Sequence, residues 1–81
     1  MRLDKFLKVS RIIKRRTVAN TVSDLGRVFV NGTSAKPAKQ LKIGDIIEIE
    51  YSNRTEKYKV LVVPNGNVSV QDAETLYKRI D

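Results

Sequence analysis

The chain has 81 residues, of which 16 are basic and 9 acidic, and a formal net charge of +7. This length accommodates one domain with a modest hydrophobic core. Cysteine and histidine are absent, which excludes disulfide bonds, thiolate zinc sites, thiol nucleophiles and imidazole general bases. No apolar run approaches the roughly 18 residues of a membrane span, and the charged N-terminus is unlike a secretory signal. We therefore expect a cytoplasmic protein without a membrane partner.

The positive charge is concentrated in the first half of the chain. Residues 1–42 contain 11 basic and 2 acidic side chains, whereas residues 43–81 contain 5 basic and 7 acidic ones. The two halves therefore carry formal charges of +9 and −2. An average small domain has a mixed, solvated charged surface, but an asymmetry of this size indicates a directed face that binds a polyanion.

The first predicted helix begins at Leu3. At about 3.6 residues per turn, Lys5 and Lys8 point away from its apolar face. Asp4 in the first turn suits the positive end of the helix dipole, and it precedes Lys8 by four residues, the favourable order for an ion pair. The apolar face of this helix consists of Leu3, Phe6, Leu7 and Ser10.

A second helix is predicted to start one or two residues before Thr17, without a good cap, because Asn20 stands where a capping box has an acidic residue. Gly26 is a typical helix terminator. The segment between the helices is predicted to be a tight turn or short helix that buries Ile12 and Ile13. The predicted apolar stripe of the second helix consists of Val18, Val22 and Leu25, with Arg16 and Asn20 on the opposite side.

Three strands are predicted next, over residues 27–30, 46–51 and 57–63, joined by loops at 31–45 and 52–55. Asn31-Gly32 is a strong turn signal at the end of the first strand. Period-two alternation predicts the buried positions of the other two strands. These positions are Ile47, Ile49, Tyr51, Tyr58, Val60 and Val62.

After a loop at 64–67, residues 72–80 are predicted to form a short amphipathic helix. Its apolar side consists of Ala73, Leu76, Tyr77 and Ile80. The predicted fold class is therefore α+β, with short N-terminal helices packed on a small, mainly antiparallel sheet and a short C-terminal helix. We predict a single domain over residues 1–81.

No catalytic constellation is visible in the sequence. Glu48 and Glu50 are neighbours on the exposed face of a predicted strand, and two acids alone are a weak sign of a glycosidase-type pair. Glycine-rich phosphate loops are absent. We therefore expect a binding protein that is not an enzyme and has no cofactor or metal.

The basic N-terminal segment suggests three classes of partner. A membrane-surface helix needs an apolar face of several turns, whereas this one ends near Leu7. A helix-turn-helix reader of DNA could use Arg15, Arg16 and Asn20, but the predicted hairpin that follows fits a three-helix module poorly. Structured RNA, recognised by shape and phosphate spacing, fits dispersed Arg and Lys best.

The order of several short motifs resembles the alpha-L RNA-binding domain, which occurs in a small-subunit ribosomal protein, pseudouridine synthases, tyrosyl-tRNA synthetases and a small bacterial heat-shock protein. The resemblance covers residues 1 to about 50 and leaves about 51–81 as an extension. Because little of the chain lies outside this domain, it most resembles the RqcP-like group of Gram-positive bacteria. The motifs are Arg2–Leu7, Ser10-Arg11, Arg16, Gly26–Val28, Val30–Gly32, Lys36-Pro37 and Lys42–Asp45.

The resemblance implies which residues bind RNA. Arg2 and Arg16 would be the main contacts, with Asp4 supporting the local geometry. Arg15 stands where many relatives have a Ser or Thr that could cap the second helix, and it would serve RNA instead. The phosphate-binding face would be extended by Lys5, Lys8, Arg11, Lys14 and Arg15, with weaker contributions from Arg27, Lys36 and Lys39.

The resemblance also implies a role on the large ribosomal subunit. Proteins of this group bind large-subunit rRNA and an obstructed peptidyl-tRNA, and they help an alanine-tailing factor in ribosome-associated quality control. We expect a ribosome-associated monomer. Three alternatives stay open: a heat-shock-type factor that recycles free large subunits, an RNA-targeting module for a separate enzyme, and an oligomeric scaffold that pairs through residues 46–63.

Overall fold

The computed structural model of the chain describes residues 1–66 and 68–80. Asn67, in the loop predicted at 64–67, therefore lies outside the described residues. Three helices, five strands and one short 3-10 turn at Glu74–Leu76 are present in the described part of the chain. The helices and strands are α1 (Leu3–Val9), α2 (Arg16–Asp24), β1 (Val28–Val30), β2 (Thr33–Ser34), β3 (Ile46–Glu50), β4 (Thr55–Val60), α3 (Val70–Ala73) and β5 (Tyr77–Arg79).

The five strands form one antiparallel sheet in the order β2-β1-β3-β4-β5. The predicted α+β class with an antiparallel sheet is confirmed. Because β3 and β4 each have a neighbour on both sides, residues 46–63 offer no free edge for pairing. The scaffold hypothesis based on that edge is therefore wrong.

The turn between β1 and β2 has the predicted Asn-Gly chemistry. Asn31 has φ +53° and Gly32 has φ +84°, as a two-residue type I′ hairpin requires. The tight turn brings the chain straight back, and Ser34 pairs with Phe29. Thr33 and Ser34 therefore form a strand, whereas the sequence predicted a loop there.

Helices α1 and α2 share one hydrophobic core with the inward face of the sheet. The predicted apolar face of α1 is confirmed, since Leu3, Phe6 and Leu7 are fully buried. They belong to the same core as Ile47 and Ile49 of β3, which are also fully buried. The alternation predicted for the second strand is thus correct.

The start and the end of α2 are as predicted. The helix begins at Arg16 with no side-chain cap, and Gly26, at φ +76°, follows its end. Its buried face differs from the prediction, because Val18 is 45% and Leu25 is 66% exposed. The buried positions are Ala19 and Ser23, whose small side chains allow α2 to approach α1 closely.

The predicted C-terminal helix over residues 72–80 is wrong. The four-residue helix α3 passes into the 3-10 turn, and the chain then extends as β5 along β4, with Tyr77 opposite Val60. The carbonyl of Leu76 accepts hydrogen bonds from Leu61 and Val62 at 2.8 and 3.2 Å. The edge of β4 thus supplies hydrogen-bond partners that outweigh the helical apolar pattern.

Strand β4 also differs from its predicted bounds of 57–63. It begins at Thr55 and ends at Val60, and Val62 is 44% exposed. The predicted inward positions Tyr58 and Val60 are buried. Among residues 1–66 and 68–80, no helix has the length and apolar character needed to cross a bilayer.

Candidate nucleic-acid interface

The centre of the basic surface is a buried carboxylate. Asp4, in the first turn of α1, is 1% exposed and accepts a hydrogen bond from the Lys5 backbone N–H at 2.8 Å. Arg2 donates from Nε to Oδ1 at 3.2 Å and from Nη2 to Oδ2 at 3.3 Å. From α2, Arg16 Nε and Asn20 Nδ2 each donate to Oδ2 at 3.3 Å. Two helices therefore converge on one acid.

These contacts keep Asp4 ionised. Burial alone would raise the pKa of the Asp4 carboxyl, but hydrogen bonds from Asn20, Arg2 and Arg16, together with the charge of Arg16, outweigh it and lower the pKa. A carboxylate that receives several hydrogen bonds and lies beside two guanidinium groups is stabilised in its charged form. Asp4 thus remains a fixed negative anchor at neutral pH.

The two arginines present positive charge to solvent. The side chains of Arg2 and Arg16 are 45% and 48% exposed, against 2% for that of Asp4. Two guanidinium groups on one carboxylate leave a net charge of +1 at the surface. Because the ion pairs restrict both side chains before any ligand arrives, less conformational entropy is lost on binding an anion. The arrangement suits phosphate.

A loop places two lysines beside this cluster. The Leu3 N–H donates to the Lys39 carbonyl at 2.8 Å, and the Asp4 N–H donates to the Pro37 carbonyl at 3.1 Å. Residue Arg2 also forms an isolated bridge with Gln40. The loop that carries Lys36 and Lys39 therefore lies against the start of α1, next to Arg2.

Residues 1–47 match the family model described as "S4 domain". A protein of Streptococcus pneumoniae named "RQC P-site tRNA stabilizing factor" is 50% identical over 99% of this chain and 90% of its own length. A protein of Halalkalibacterium halodurans with the same name is 45% identical over 96% of this chain and 88% of its own. The chain belongs to the S4-domain family of RQC P-site tRNA stabilizing factors.

A solved structure of another protein supports the fold described above. The trimeric structure of Vibrio cholerae Heat Shock Protein 15 superposes with a TM-score of 0.88 at 29% identity, covering 99% of this chain and 81% of that one. The match of the S4 domain to residues 1–47 includes both helices that hold Asp4 and all of β1 and β2. Strands β4 and β5 and helix α3 lie beyond it.

Three further residues that the sequence predicted to bind RNA lie together at the C-terminal end of α1. Lys8, Arg11 and Lys14 line one shallow depression, together with Val68. Arg11 has φ +62°, an uncommon conformation for a residue other than glycine. Arg11 lies in the turn that follows α1.

The remaining predicted residues are more dispersed. Lys5 follows Asp4 on α1, and Arg15 is the exposed residue that precedes α2. Arg27 lies beyond the opposite end of α2 from Arg16, so the structure does not place it with the Asp4 cluster. The predicted ion pair between Asp4 and Lys8 is wrong, because Asp4 instead pairs with Arg2 and Arg16.

Asn20 is a part of the site that the sequence prediction left out. Its amide donates to Asp4 at 3.3 Å from one helical turn beyond Arg16. The i, i+4 spacing of Arg16 and Asn20 places them on the same helix face, and this was visible in the sequence. The sequence did not show that Asp4 is the residue that both of them contact.

Proposed function

We propose that this chain is a non-enzymatic RNA-binding factor of ribosome-associated quality control, which acts on the large ribosomal subunit and stabilises an obstructed peptidyl-tRNA there. The observation that carries the proposal is the pair of arginines that Asp4 holds half-exposed within the S4 segment. The name shared by the S. pneumoniae and H. halodurans relatives supports the quality-control role and the P-site tRNA.

Arg2 and Arg16 would make the main contacts with rRNA phosphates. Arg16 donates to Asp4 through Nε, so its Nη groups lie toward the exposed end of the side chain and can form charge-assisted bonds with phosphate oxygens. Arg2 donates to Asp4 through Nε and Nη2. Arg16 therefore has the larger number of donors available for RNA.

Other basic residues would widen the phosphate-binding face. Lys36 and Lys39 extend it across the loop beside Arg2, and the depression of Lys8, Arg11 and Lys14 extends it along α1. If about five phosphates are contacted, the logarithm of the affinity should fall with the logarithm of the salt concentration with a slope of about −3.5 to −4.5. Lys5, Arg15 and Arg27 would contribute long-range attraction.

Binding of this kind would assist alanine tailing by holding the peptidyl-tRNA in place. A protein that holds rRNA and tRNA together needs to orient them and does not need to make or break bonds. The two guanidinium groups can supply that orientation. The alanine-tailing factor would be the protein partner, and the chain would act in the cytoplasm as a monomer. We assign residues 1 to about 50 as the RNA-binding core and about 51–81 as its extension within one domain.

A second candidate is a heat-shock-type factor that recycles free large subunits. It is favoured by the TM-score of 0.88 with the V. cholerae heat-shock protein, although the identity of 29% is well below the 50% and 45% of the quality-control relatives. An RNA-targeting module for a separate enzyme is a third candidate, because the RNA-binding domain that the chain resembles also occurs in pseudouridine synthases.

Pull-down of the tagged full chain from cells, with identification of the bound RNA and proteins, tests the proposal. Large-subunit rRNA together with peptidyl-tRNA and the alanine-tailing factor would support quality control. Free large subunits without nascent chains would favour recycling, and a bound modifying enzyme would favour the targeting module. Absence of ribosomal RNA would refute the assignment of the Arg2–Arg16 face.

The matched variants are Arg16→Gln and Lys59→Gln. Each removes one positive charge, but Lys59 is exposed on β4 between the buried Tyr58 and Val60, so its side chain lies on the opposite face of the sheet from the helices. Arg16→Gln should reduce the recovered rRNA strongly, whereas Lys59→Gln should leave it nearly unchanged.

A further inference from the structure

A cavity of about 520 Å³ is lined by residues of the β1–β2 hairpin and of the loop that follows it. This volume lies within the range of about 300–1,000 Å³ that is usual for small-ligand sites. The cavity shares no lining residue with the pocket that contains Arg2, Asp4 and Arg16. The basic loop beside the Asp4 cluster therefore has a concave surface as well as positive charge.

The floor of the cavity is apolar and fixed. Val30 and Ala35 line it, and they are 4% and 7% exposed. Asn31 also lines it and is held by its own side chain, because Nδ2 donates to Asp45 Oδ1 at 3.1 Å and Oδ1 accepts from the Ile46 N–H at 2.9 Å. Since these residues are already restrained, little ordering is required when a ligand enters.

Two hydroxyl groups line the same cavity. Thr33 pairs with Val30 across the hairpin, so its side chain lies on the same face as the apolar floor. Among residues 1–66 and 68–80, the hydroxyls of Thr33 and Ser34 form no hydrogen bond. The Ala35 N–H donates to the Val28 carbonyl at 2.9 Å, and the alternation of an antiparallel pair therefore directs the backbone groups of Ser34 away from β1. The cavity thus offers donors and acceptors next to an apolar floor.

Two lysines complete the lining of the cavity. The Lys39 N–H donates to the Lys36 carbonyl at 3.0 Å, which closes a tight turn and brings the two residues close together. Both are exposed, and neither forms an ion pair within the described part of the chain. The Pro37 carbonyl accepts a hydrogen bond from the Asp4 N–H at 3.1 Å. The turn is therefore fixed to the start of α1, beside the Asp4 cluster.

A nucleotide combines the groups that this cavity can accept. Its base has apolar faces and a hydrogen-bonding edge, and its phosphate is anionic. A base within a paired helix is stacked and cannot enter a cavity, whereas an unpaired base can be splayed out and bound at its edge. A solvated lysine turn would account for the positive charge, but it would not account for the apolar concavity beside that charge.

We propose that the cavity takes the base of one unpaired nucleotide in the RNA that is bound at Arg2 and Arg16. The edge of the base would bond to the Thr33 hydroxyl, and the phosphate would lie against Lys36 and Lys39. The proposal rests on the proposed function and adds a requirement to it, namely that the RNA presents an unpaired nucleotide beside the contacted phosphates.

The test measures binding of the full chain to short, fluorescently labelled RNA duplexes by anisotropy. One duplex is fully paired, and four others carry a single bulged nucleotide, one for each base. The wild-type chain should bind at least one bulged duplex about 3- to 10-fold more tightly than the paired one. Arg16→Gln should weaken binding of all the duplexes, because it removes a contact with the RNA backbone.

Thr33→Val tests the cavity without a change in charge. Valine keeps the branched shape and the strand propensity but lacks the hydroxyl. The variant should lose most of the preference for the bulged duplex and keep its affinity for the paired one. Its salt dependence should be unchanged, since no phosphate contact is lost. Thr55→Val is the matched control, because Thr55 is an exposed residue of β4 that does not line the cavity.

Two results would overturn the cavity assignment and leave the proposed function intact. One is equal affinity of the wild-type chain for the paired duplex and all four bulged duplexes, while Arg16→Gln still weakens binding. The other is a Thr33→Val chain that keeps the full preference. If Arg16→Gln binds every duplex as well as the wild type does, the proposed function itself fails, and the cavity assignment fails with it.

Methyl NMR signals of the wild-type chain test the cavity without any substitution that could affect folding. The signals of Val30 and Ala35, at the floor of the cavity, should shift further on titration with the preferred bulged duplex than with the paired one. Val60, which is fully buried on β4, is the reference and should not distinguish the two duplexes. Floor signals that respond equally to both duplexes at saturation would refute the proposal.

Discussion

Arg16 Nε lies 3.3 Å from Asp4 Oδ2, although the two residues are 12 positions apart in the chain. The contact joins the first turn of α2 to the first turn of α1, and Arg2 reaches the same carboxylate from the other side. Because Asp4 is buried and charged, it restrains both guanidinium groups without covering them. The RNA-binding proposal depends on this geometry.

Loss of the Arg16 guanidinium should weaken association with large ribosomal subunits. Arg16→Gln removes a charge-assisted contact, and we expect about a tenfold loss of affinity. Arg16→Lys keeps the charge but loses the planar fork, so we expect a smaller loss, about threefold. Sedimentation with purified subunits measures both. Equal binding by wild type and Arg16→Gln, under conditions where Lys59→Gln also binds normally, would contradict the assignment.

Asp4→Asn should destabilise the fold in a pH-dependent manner. The pKa of Asp4 is lowered below its model-peptide value of 3.8 in the folded chain, so its charged form contributes stability above about pH 4, and this contribution is lost as the pH falls through the folded-state pKa. At neutral pH we expect a cost of about 1–2 kcal/mol, since the arginine partners are half-exposed.

Urea unfolding of wild type and Asp4→Asn between acidic and neutral pH measures this difference. The two stability curves should converge as the pH falls below 4. Asp24→Asn is the matched control, because Asp24 is an exposed acid of α2 whose replacement should change stability little. A wild-type advantage that stays constant down to the lowest pH would show that the charge of Asp4 is not its source.

Gly32→Ala should destabilise the β1–β2 hairpin through backbone strain alone. Gly32 has φ +84°, and an added Cβ would meet no atom within 4 Å. The left-handed conformation should cost about 1–2 kcal/mol. Gly66→Ala is the control, since that position also has open space but no positive φ, and it should be neutral or slightly stabilising. Thermal unfolding that does not distinguish the two variants would argue against a type I′ turn.

Ala19→Leu should disturb both stability and RNA binding. Ala19 is fully buried, and overpacking a close contact typically costs about 1–3 kcal/mol. A displaced α2 would move Arg16 and Asn20 away from Asp4. Val18→Leu, at a position that is 45% exposed, should leave both properties unchanged. If Val18→Leu proved the more damaging in thermal unfolding and RNA-binding assays, the assigned packing face of α2 would be wrong.

Local sequence patterns determined much of the fold. Leu3, Phe6 and Leu7 recur with helical periodicity, and all three are buried, because α1 has one strongly apolar face and a basic one. The Asn31-Gly32 dipeptide determined the hairpin, because both residues tolerate the positive φ that a type I′ turn requires. The order of short motifs in residues 1–50 was enough to indicate the S4 family.

Tertiary structure decided which of several locally acceptable patterns was used. In α2, the apolar residues Val18 and Leu25 are exposed and Ala19 is buried, since close packing against α1 favours the small side chain over the apolar stripe. At the C-terminus, a sequence with helical periodicity became β5, because β4 had an unpaired edge to complete.

The contacts of the buried acids Asp4 and Glu56 also depend on the tertiary structure. Asp4 and Arg16 could be recognised as separate residues in the sequence, but only the packing of α1 on α2 makes them partners. The ion pair between Glu56 and Arg79 could not be predicted from the sequence, because it requires strand β5, which the sequence analysis did not predict. Periodicity reports the face on which a side chain lies, whereas the residues that meet across two elements are determined by how those elements pack.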